Sequence, residues 1–298
     1  MRSAAAARLG ASGVEVLESL GQHRLLSTRQ VHQLHTPDAS IRWTRHLLAR
    51  LRANGFAAAT ARPGGMLLWY LTGAGIDSLD AIPSRAETRR RVIPPEQAAG
   101  SLQEHTLAVN DVGIAFARAA RERGDECGPF DWFHEIAHSL GPPPGRRAPE
   151  QLIADAVLTY LLREDGGKGT IAYRFLELDR ANRSAAELAR RIGRYARLYR
   201  RTVPSDRSPG RPVPLWETRY PVFPTLVVVL AGRSSERLRE RRRIVLALCG
   251  QDPELAATPE VEVSICLLAD LLNRGPFAPI FRALVAPGEE VGWLGEGR

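Results

Sequence analysis

The sequence predicts an α+β protein in which an N-terminal winged helix-turn-helix precedes an α/β domain with a central mixed sheet. Two amphipathic helical patterns before residue 54 each follow a serine, and three β-type segments lie between residues 130 and 179. Helical and buried-strand patterns alternate after them. A chain of 298 residues is long enough for two domains. We predict them at 1–83 and 101–298, joined by a proline- and arginine-rich linker over 84–100.

Basic charge is concentrated in the first third of the chain. Residues 1–92 hold 13 arginines and 6 acidic residues, whereas the remainder holds 28 basic and 27 acidic residues. This excess predicts a surface for a polyanion such as double-stranded DNA. The only lysine is Lys168, a bias that a GC-rich coding sequence would also produce.

Composition also limits the class of protein. Three widely spaced cysteines, an odd number, argue against a disulfide framework or a cysteine zinc site. The N terminus lacks the apolar core of a leader, and no later run reaches transmembrane length. We therefore expect a cytoplasmic protein that does not associate with membranes.

The first domain follows the order of a winged helix-turn-helix. A first helix is predicted from Val14 to about Gly21. The later elements are a helix over Thr28–His35 capped by Ser27, a helix over Ile41–Ala53 capped by Ser40, and strands over 56–61 and 66–71. Winged helices that bind ligands or proteins also exist, so the charge excess is what favours DNA as the partner.

The third helix carries the predicted DNA-reading face. Its leucines repeat at core spacing, and the opposite side presents Arg42, Trp43, Arg45 and His46. These side chains suit phosphates and guanine edges in a major groove. Arg62 lies in the turn between the two strands and is predicted to be a wing contact to DNA.

The second domain shows the order helix, three strands, helix, strand, which is the order of the PD-(D/E)XK nuclease core. Its third strand, near Tyr173–Arg180, carries Glu177 and Asp179 on one face, and the second strand carries Asp155. Two like charges buried together need a cation, an arginine or a proton beside them. The three carboxylates therefore predict a site for Mg²⁺ or Mn²⁺ and are the first catalytic candidates.

One position departs from that nuclease pattern. The third strand should read Glu-x-Lys, but Asp179 stands where lysine is expected. Arg180, Arg190, Arg194 or Lys168 could supply the missing positive charge. The alternative for Glu177 and Asp179 is a salt bridge to arginines of the following helix. That helix, from about Ser184 to Arg201, also presents Arg190, Arg194 and Arg197 as a phosphate-tracking surface or as a solvated face.

A competing motif lies at His134–His138. It fits the zinc-protease pattern HExxH, which needs a helix to place both histidines on the metal, with Glu135 as general base. The prolines at 142–144 stop any helix, and Pro144 stands where the extended pattern needs a third histidine. As a strand, His134 and His138 would share a face and Glu135 would point away.

Several segments together resemble the replication-relaxation family of actinobacterial plasmids and integrative elements. They are Glu104–Asp111, Trp132–Glu135, Ile153–Ala156, Glu177–Arg180 and Arg194–Ala196. The resemblance implies a DNA-binding helix-turn-helix joined to a nuclease-like domain, with a role in plasmid replication and DNA relaxation. It adds His105, Asn110 and Glu135 to the candidate site residues, although helix packing or capping would equally explain His105 and Asn110.

Two hypotheses follow. In the first, the protein binds DNA and its nuclease-like domain is a scaffold that does not cut. In the second, Asp155, Glu177 and Asp179 hold Mg²⁺ or Mn²⁺ in a DNA nickase or endonuclease. Replication or mobilisation proteins, and a homodimer, are further partners that the sequence leaves open.

Overall fold

The computed structural model describes residues 2–80, 102–141, 150–164, 166–204, 210–285 and 288–295, with side chains from residue 10 onward in the first range and from 103 in the second. The predicted linker over 84–100 and the prolines at 142–144 lie outside the described residues. Contacts divide the chain into two compact units. Unit 1 comprises Met1–Arg121 and Cys127–Phe133, and unit 2 comprises Glu122–Glu126 and His134–Arg298.

Unit 1 is built from helices and a small antiparallel sheet. Its elements are α1 (Arg2–His23), β1 (Leu26–Ser27), α2 (Thr28–His35), α3 (Ile41–Ala53), β2 (Ala57–Ala61), β3 (Leu67–Leu71), α4 (Gly73–Asp80) and α5 (Leu102–Arg123). The strand order is β1-β3-β2, so the hairpin β2–β3 follows α3 directly. This is the order that the sequence predicts for a winged helix-turn-helix.

Local sequence explains where α2 and α3 begin. The Ser27 side chain accepts a hydrogen bond from the Gln30 backbone N–H, and the Gln30 side chain accepts one from the Ser27 N–H, which forms a capping box. Ser40 accepts from the Trp43 N–H at the start of α3. The predicted bounds of both helices are confirmed. The first helix differs from its predicted bounds: it begins at Arg2, kinks at Gly10 and ends at His23.

Helix α5 packs in unit 1, although the sequence placed it at the start of the second domain. The Gln30 Nε2 donates to the Leu107 carbonyl oxygen (2.9 Å) and to Asp111 Oδ1 (2.7 Å). The Asn110 Nδ2 donates to the Leu25 carbonyl oxygen (2.9 Å). These anchors are polar side chains bonded to the backbone or to one another, and a search for apolar periodicity does not detect them.

Unit 2 contains a six-stranded mixed sheet flanked by helices. Its elements are β4 (Trp132–Gly141, which begins in unit 1), β5 (Glu150–Arg163), β6 (Gly169–Asp179), α6 (Ala185–Arg200), β7 (Thr202–Val203), β8 (Val213–Pro214), β9 (Thr225–Leu230), α7 (Ser235–Gly250), α8 (Pro253–Ala256), β10 (Val263–Leu267), α9 (Leu268–Arg274) and β11 (Arg282–Ala283), with a 3₁₀ turn at Leu215–Thr218. The strand order is β11-β10-β9-β6-β5-β4. The predicted α+β class with a central mixed sheet is confirmed.

The centre of that sheet explains its mixed character. Strands β5 and β6 form an antiparallel pair joined by a short turn, whereas β6, β9 and β10 run parallel. Leu226, Val228 and Leu230 of β9 pack with the apolar stripes of α6 and α7 in one core. Consequently the face of β6 that carries Glu177 and Asp179 is buried under these two helices.

Candidate functional site

Helix α3 presents a basic surface to solvent. Leu47, Leu48 and Leu51 are buried, whereas the four predicted DNA-reading side chains are all exposed: Arg42, Trp43, Arg45 and His46. Trp43 is 45% exposed, so its indole ring lies on the same solvent-facing side as the three basic residues. The predicted solvent-facing placement of this set is therefore confirmed, and what it binds stays a prediction.

Arg62, the predicted wing contact, is already engaged inside unit 1. Its guanidinium donates to Glu104 Oε1 at 2.8 Å, and the arginine is only partly exposed. An exposed ion pair of this kind contributes little stability, but it offsets the charge that a phosphate would meet. Arg62 is thus less available to a polyanion than Arg42 or Arg45.

In unit 2, Glu177 is the most enclosed of the three predicted metal ligands. Glu177 is 3% exposed, and each of its carboxylate oxygens accepts a hydrogen bond. The Arg191 Nε donates to Oε2 at 2.6 Å, and the Tyr195 hydroxyl donates to Oε1 at 2.6 Å. The Arg191 Nη2 also lies 3.7 Å from Asp155 Oδ1, so one guanidinium serves two carboxylates.

This shared guanidinium accounts for the electrostatics of the cluster. Burial, and then repulsion by Asp155, raise the pKa of Glu177 to about 7, against the opposing effect of Arg191. Burial beside Glu177 also raises the pKa of the Tyr195 hydroxyl. The Asp155 Oδ2 accepts the Leu178 backbone N–H at 2.8 Å, which ties the two strands together at this point.

Asp179 has a different arginine. The Arg241 Nε on α7 donates to Asp179 Oδ2 at 2.6 Å, and its Nη2 donates to the Arg183 carbonyl oxygen at 2.8 Å. Both side chains of this pair are largely buried. The position that holds lysine in the nuclease pattern therefore carries a carboxylate neutralised from a second helix.

These contacts bear directly on the predicted Mg²⁺ or Mn²⁺ site. Such ions take several oxygen ligands at about 2.0–2.2 Å in near-octahedral geometry. Within the described ranges, no group of three or more His, Cys, Asp or Glu side chains is arranged to hold a metal ion. Arg191 and Arg241 already bind Glu177 and Asp179, two of the three carboxylates that would ligate the ion. The carboxylate oxygens in this arrangement therefore do not fit a Mg²⁺ or Mn²⁺ site. The alternative of a salt bridge to arginines of the following helix describes Glu177, which pairs with Arg191, but not Asp179, whose partner Arg241 lies on α7.

The predicted phosphate-tracking arginines of α6 fall into two kinds. Arg190 is exposed. Arg194 and Arg197 each lie 2.9 Å from a different oxygen of Glu150, and the Arg194 Nη2 also donates to the Gln151 carbonyl oxygen. Two of the three predicted arginines are thus committed to the start of β5.

The HExxH segment forms strand β4, and the metalloprotease interpretation is wrong. His138 is buried, and its Nε2 lies 2.9 Å from the Tyr220 hydroxyl oxygen. Burial, with the nearby Arg219 charge, lowers the pKa of His138 to about 4. Glu135 is exposed, while His134 is on the more shielded side with His138, as predicted for a strand. The helical spacing that zinc ligation requires is absent from this strand.

The remaining candidates are distributed between the units. His105 lies on α5 in unit 1, whereas Asp155, Glu177 and Asp179 lie in unit 2. Asn110 is fully buried and bonded to the Leu25 carbonyl, which is a packing role. The structure brings the three acids together under α6 and α7, where Arg191 serves Asp155 and Glu177 and Arg241 serves Asp179.

The sequence contained a signal that singles out Arg191 among the arginines of α6 and that points to Arg241 of α7, which was not considered as a partner. Arg191 lies between Leu188 and Tyr195 at positions i, i+3 and i+7, which is the spacing of a buried helical stripe. Arg241 lies likewise between Leu238 and Val245. An arginine inside an apolar stripe indicates a buried carboxylate partner.

The chain matches a protein-family model. A family model described as replication-relaxation matches residues 17–211, which is more than half of the chain. No curated protein and no solved structure matches significantly. No helix in the part of the chain that the structure describes is long and apolar enough to cross a membrane.

Proposed function

The chain belongs to the replication-relaxation family, and we propose that it is a DNA-binding protein of a plasmid or mobile element that acts in replication or DNA relaxation. In this proposal unit 1 binds duplex DNA through α3. Unit 2 serves as a nuclease-like scaffold that does not cut. Replication or mobilisation proteins are its proposed protein partners.

The exposed basic face of α3 carries the proposal. Arg42, Arg45 and His46 project from a helix that begins at a serine cap and follows α2 after a short turn. Among the residues of unit 1 that the structure describes, no carboxylate forms an ion pair with Arg42 or Arg45. Arginines that are not neutralised can exchange counterions with phosphates and can reach guanine edges.

The state of the acids in unit 2 supports the scaffold role. A catalytic metal site needs carboxylate oxygens that are free to bind the ion and to position water. Here Glu177 and Asp179 already accept charge-assisted hydrogen bonds from Arg191 and Arg241. Moving both arginines away would leave buried charge unpaired, which is costly.

Duplex binding is tested by fluorescence anisotropy with labelled GC-rich DNA over a range of salt concentrations. We expect Arg42→Ala with Arg45→Ala to weaken binding at least tenfold and to reduce the salt slope by about 2. The matched control is Arg237→Ala with Arg243→Ala, an equal change in net charge on exposed residues of α7. Equal losses in both pairs would show that α3 is not the reader.

Cleavage is tested separately by nicking of supercoiled plasmid with Mg²⁺ or Mn²⁺. We expect no nicking above the level of Asp155→Ala and Glu177→Ala. Metal-dependent nicking by the wild type that is lost in both variants would replace the scaffold proposal by the nickase alternative.

A further inference from the structure

Unit 1 contains a solvent-open cavity whose apolar wall the proposed DNA contacts do not use. Its volume is about 1040 Å³, and it lies between the N-terminal part of α2, one side of α3 and the start of β3. This volume is just above the usual range for small-molecule sites, about 300–1,000 Å³. All of its lining residues belong to unit 1.

The cavity wall is mainly apolar. Ile41, Met66, Leu67 and Trp69 line it together with small residues of α3 such as Ala49. The Trp69 Nε1 donates to Thr28 Oγ1 at 2.9 Å, so the polar atom of this indole is already satisfied. A phosphodiester backbone would leave such a wall uncovered, whereas an apolar molecule would bury it at about 25 cal/mol per Å².

The charged part of the wall is entirely positive. Arg29, Arg45 and Arg52 line the cavity, and its lining contains no Asp or Glu among the described residues. Arg45 and Arg52 form no ion pair with a carboxylate in the described part of the chain. An occupant complementary to this wall has an apolar body and at least one anionic group.

We propose that the cavity binds a small organic carboxylate with an aromatic or acyl body, and that this ligand competes with duplex DNA. The competition follows because Arg45 lines the cavity and also belongs to the exposed face of α3. That second part rests on the proposed function, whereas ligand binding itself does not. Coupling of this kind is reciprocal, so DNA weakens ligand binding by the same factor.

The binding site is tested with the full chain and an anionic aromatic probe, anilinonaphthalene sulfonate. We expect one saturable fluorescent site per chain, displaced by octanoate but not by the same concentration of inorganic phosphate. Ala49→Trp fills the cavity and should weaken binding of the probe at least tenfold. Ala74→Trp, an exposed alanine of α4, is the matched control and should bind as the wild type does.

Arg52→Ala keeps the proposal testable if Ala49→Trp fails to fold. This arginine is exposed, and its loss should weaken the probe several-fold. Unchanged binding in both Ala49→Trp and Arg52→Ala, or displacement by phosphate as effective as by octanoate, would overturn the site.

The competition is then measured as duplex affinity of the wild type with and without saturating octanoate. We expect octanoate to weaken duplex binding several-fold. Equal affinity in both conditions would overturn the coupling while leaving the ligand site in place. If the chain binds no duplex even without octanoate, the proposed function fails, and the probe result still decides the cavity.

Discussion

Unit 1 and unit 2 use arginine in opposite ways. On α3, Arg42 and Arg45 are exposed. On α6 and α7, Arg191 and Arg241 instead form ion pairs with the buried carboxylates of Glu177 and Asp179. Both regions read in sequence as helices rich in arginine. The difference shows that a run of arginines in the sequence does not reveal whether these side chains stay exposed or pair with carboxylates of a facing element.

The largest expected effect separates these two uses. Arg191→Ala leaves Glu177 and Asp155 without their shared guanidinium, in a site that is almost closed to water. We expect a loss of about 3–5 kcal/mol in the free energy of unfolding, measured by urea denaturation. Arg190→Ala, on the same helix but exposed, should cost less than about 0.5 kcal/mol. Similar small losses in both variants would mean that Arg191 is only another surface arginine.

A second prediction concerns pH and the buried Glu177. Because its folded pKa is raised from 4.5 to about 7, the folded state holds this proton more tightly than the unfolded state does. Its contribution to stability is therefore complete below about pH 4.5 and is lost as the pH rises through 7. Between pH 5 and 7.5 we expect the free energy of unfolding of the wild type to fall relative to that of Glu177→Gln. The difference should change by about 2 kcal/mol across this range.

Three buried or half-buried histidines also make stability depend on pH, so the wild type must be compared with Glu177→Gln. Burial lowers the pKa of His23 to about 3, and that of His35 and His138 to about 4. Such groups bind protons more tightly when unfolded, so they make stability rise with pH up to about 6.5. The difference between wild type and Glu177→Gln cancels them. Parallel pH profiles would contradict the raised pKa of Glu177.

A smaller effect comes from the serine N-caps of the two units. It tests whether the units differ only in how their charged side chains are paired. Ser27 and Ser184 each form a capping box, with Gln30 and Glu187 respectively. Replacing either serine by alanine should cost about 1 kcal/mol, because the same backbone N–H loses its acceptor in both units. Thermal unfolding of the two variants measures this. A large loss in one unit only would mean that helix initiation also distinguishes them.

The smallest predicted effect comes from removing the carboxylate partner of Arg62. Glu104→Gln removes the carboxylate charge that holds Arg62, and it should strengthen duplex binding about twofold and steepen the salt dependence slightly. The same substitution in an Arg62→Ala background should then have less effect on duplex affinity, as measured by anisotropy. An equal gain with and without Arg62 would assign it to net charge and not to that arginine.

Prediction from sequence was most successful where local rules determine the outcome. The bounds of α2 and α3 follow from serine caps and apolar spacing, and α6 was predicted to within about one residue at each end. The positions of Asp155, Glu177 and Asp179 on adjacent strands also followed from strand periodicity. It was least successful for α5, whose packing in unit 1 depends on polar anchors such as Gln30.

The sequence by itself determined which residues are exposed or buried within each element, because side-chain periodicity is a local property of helices and strands. Only the tertiary structure decided what the buried acids meet. Arg191 is 14 positions from Glu177, but Arg241 is 62 positions from Asp179, and such pairs form only when packing brings the helices onto the sheet. The same packing left Arg42 and Arg45 in solvent. Their different roles follow from desolvation, which makes a buried charge depend on its partner and leaves an exposed one available to bind.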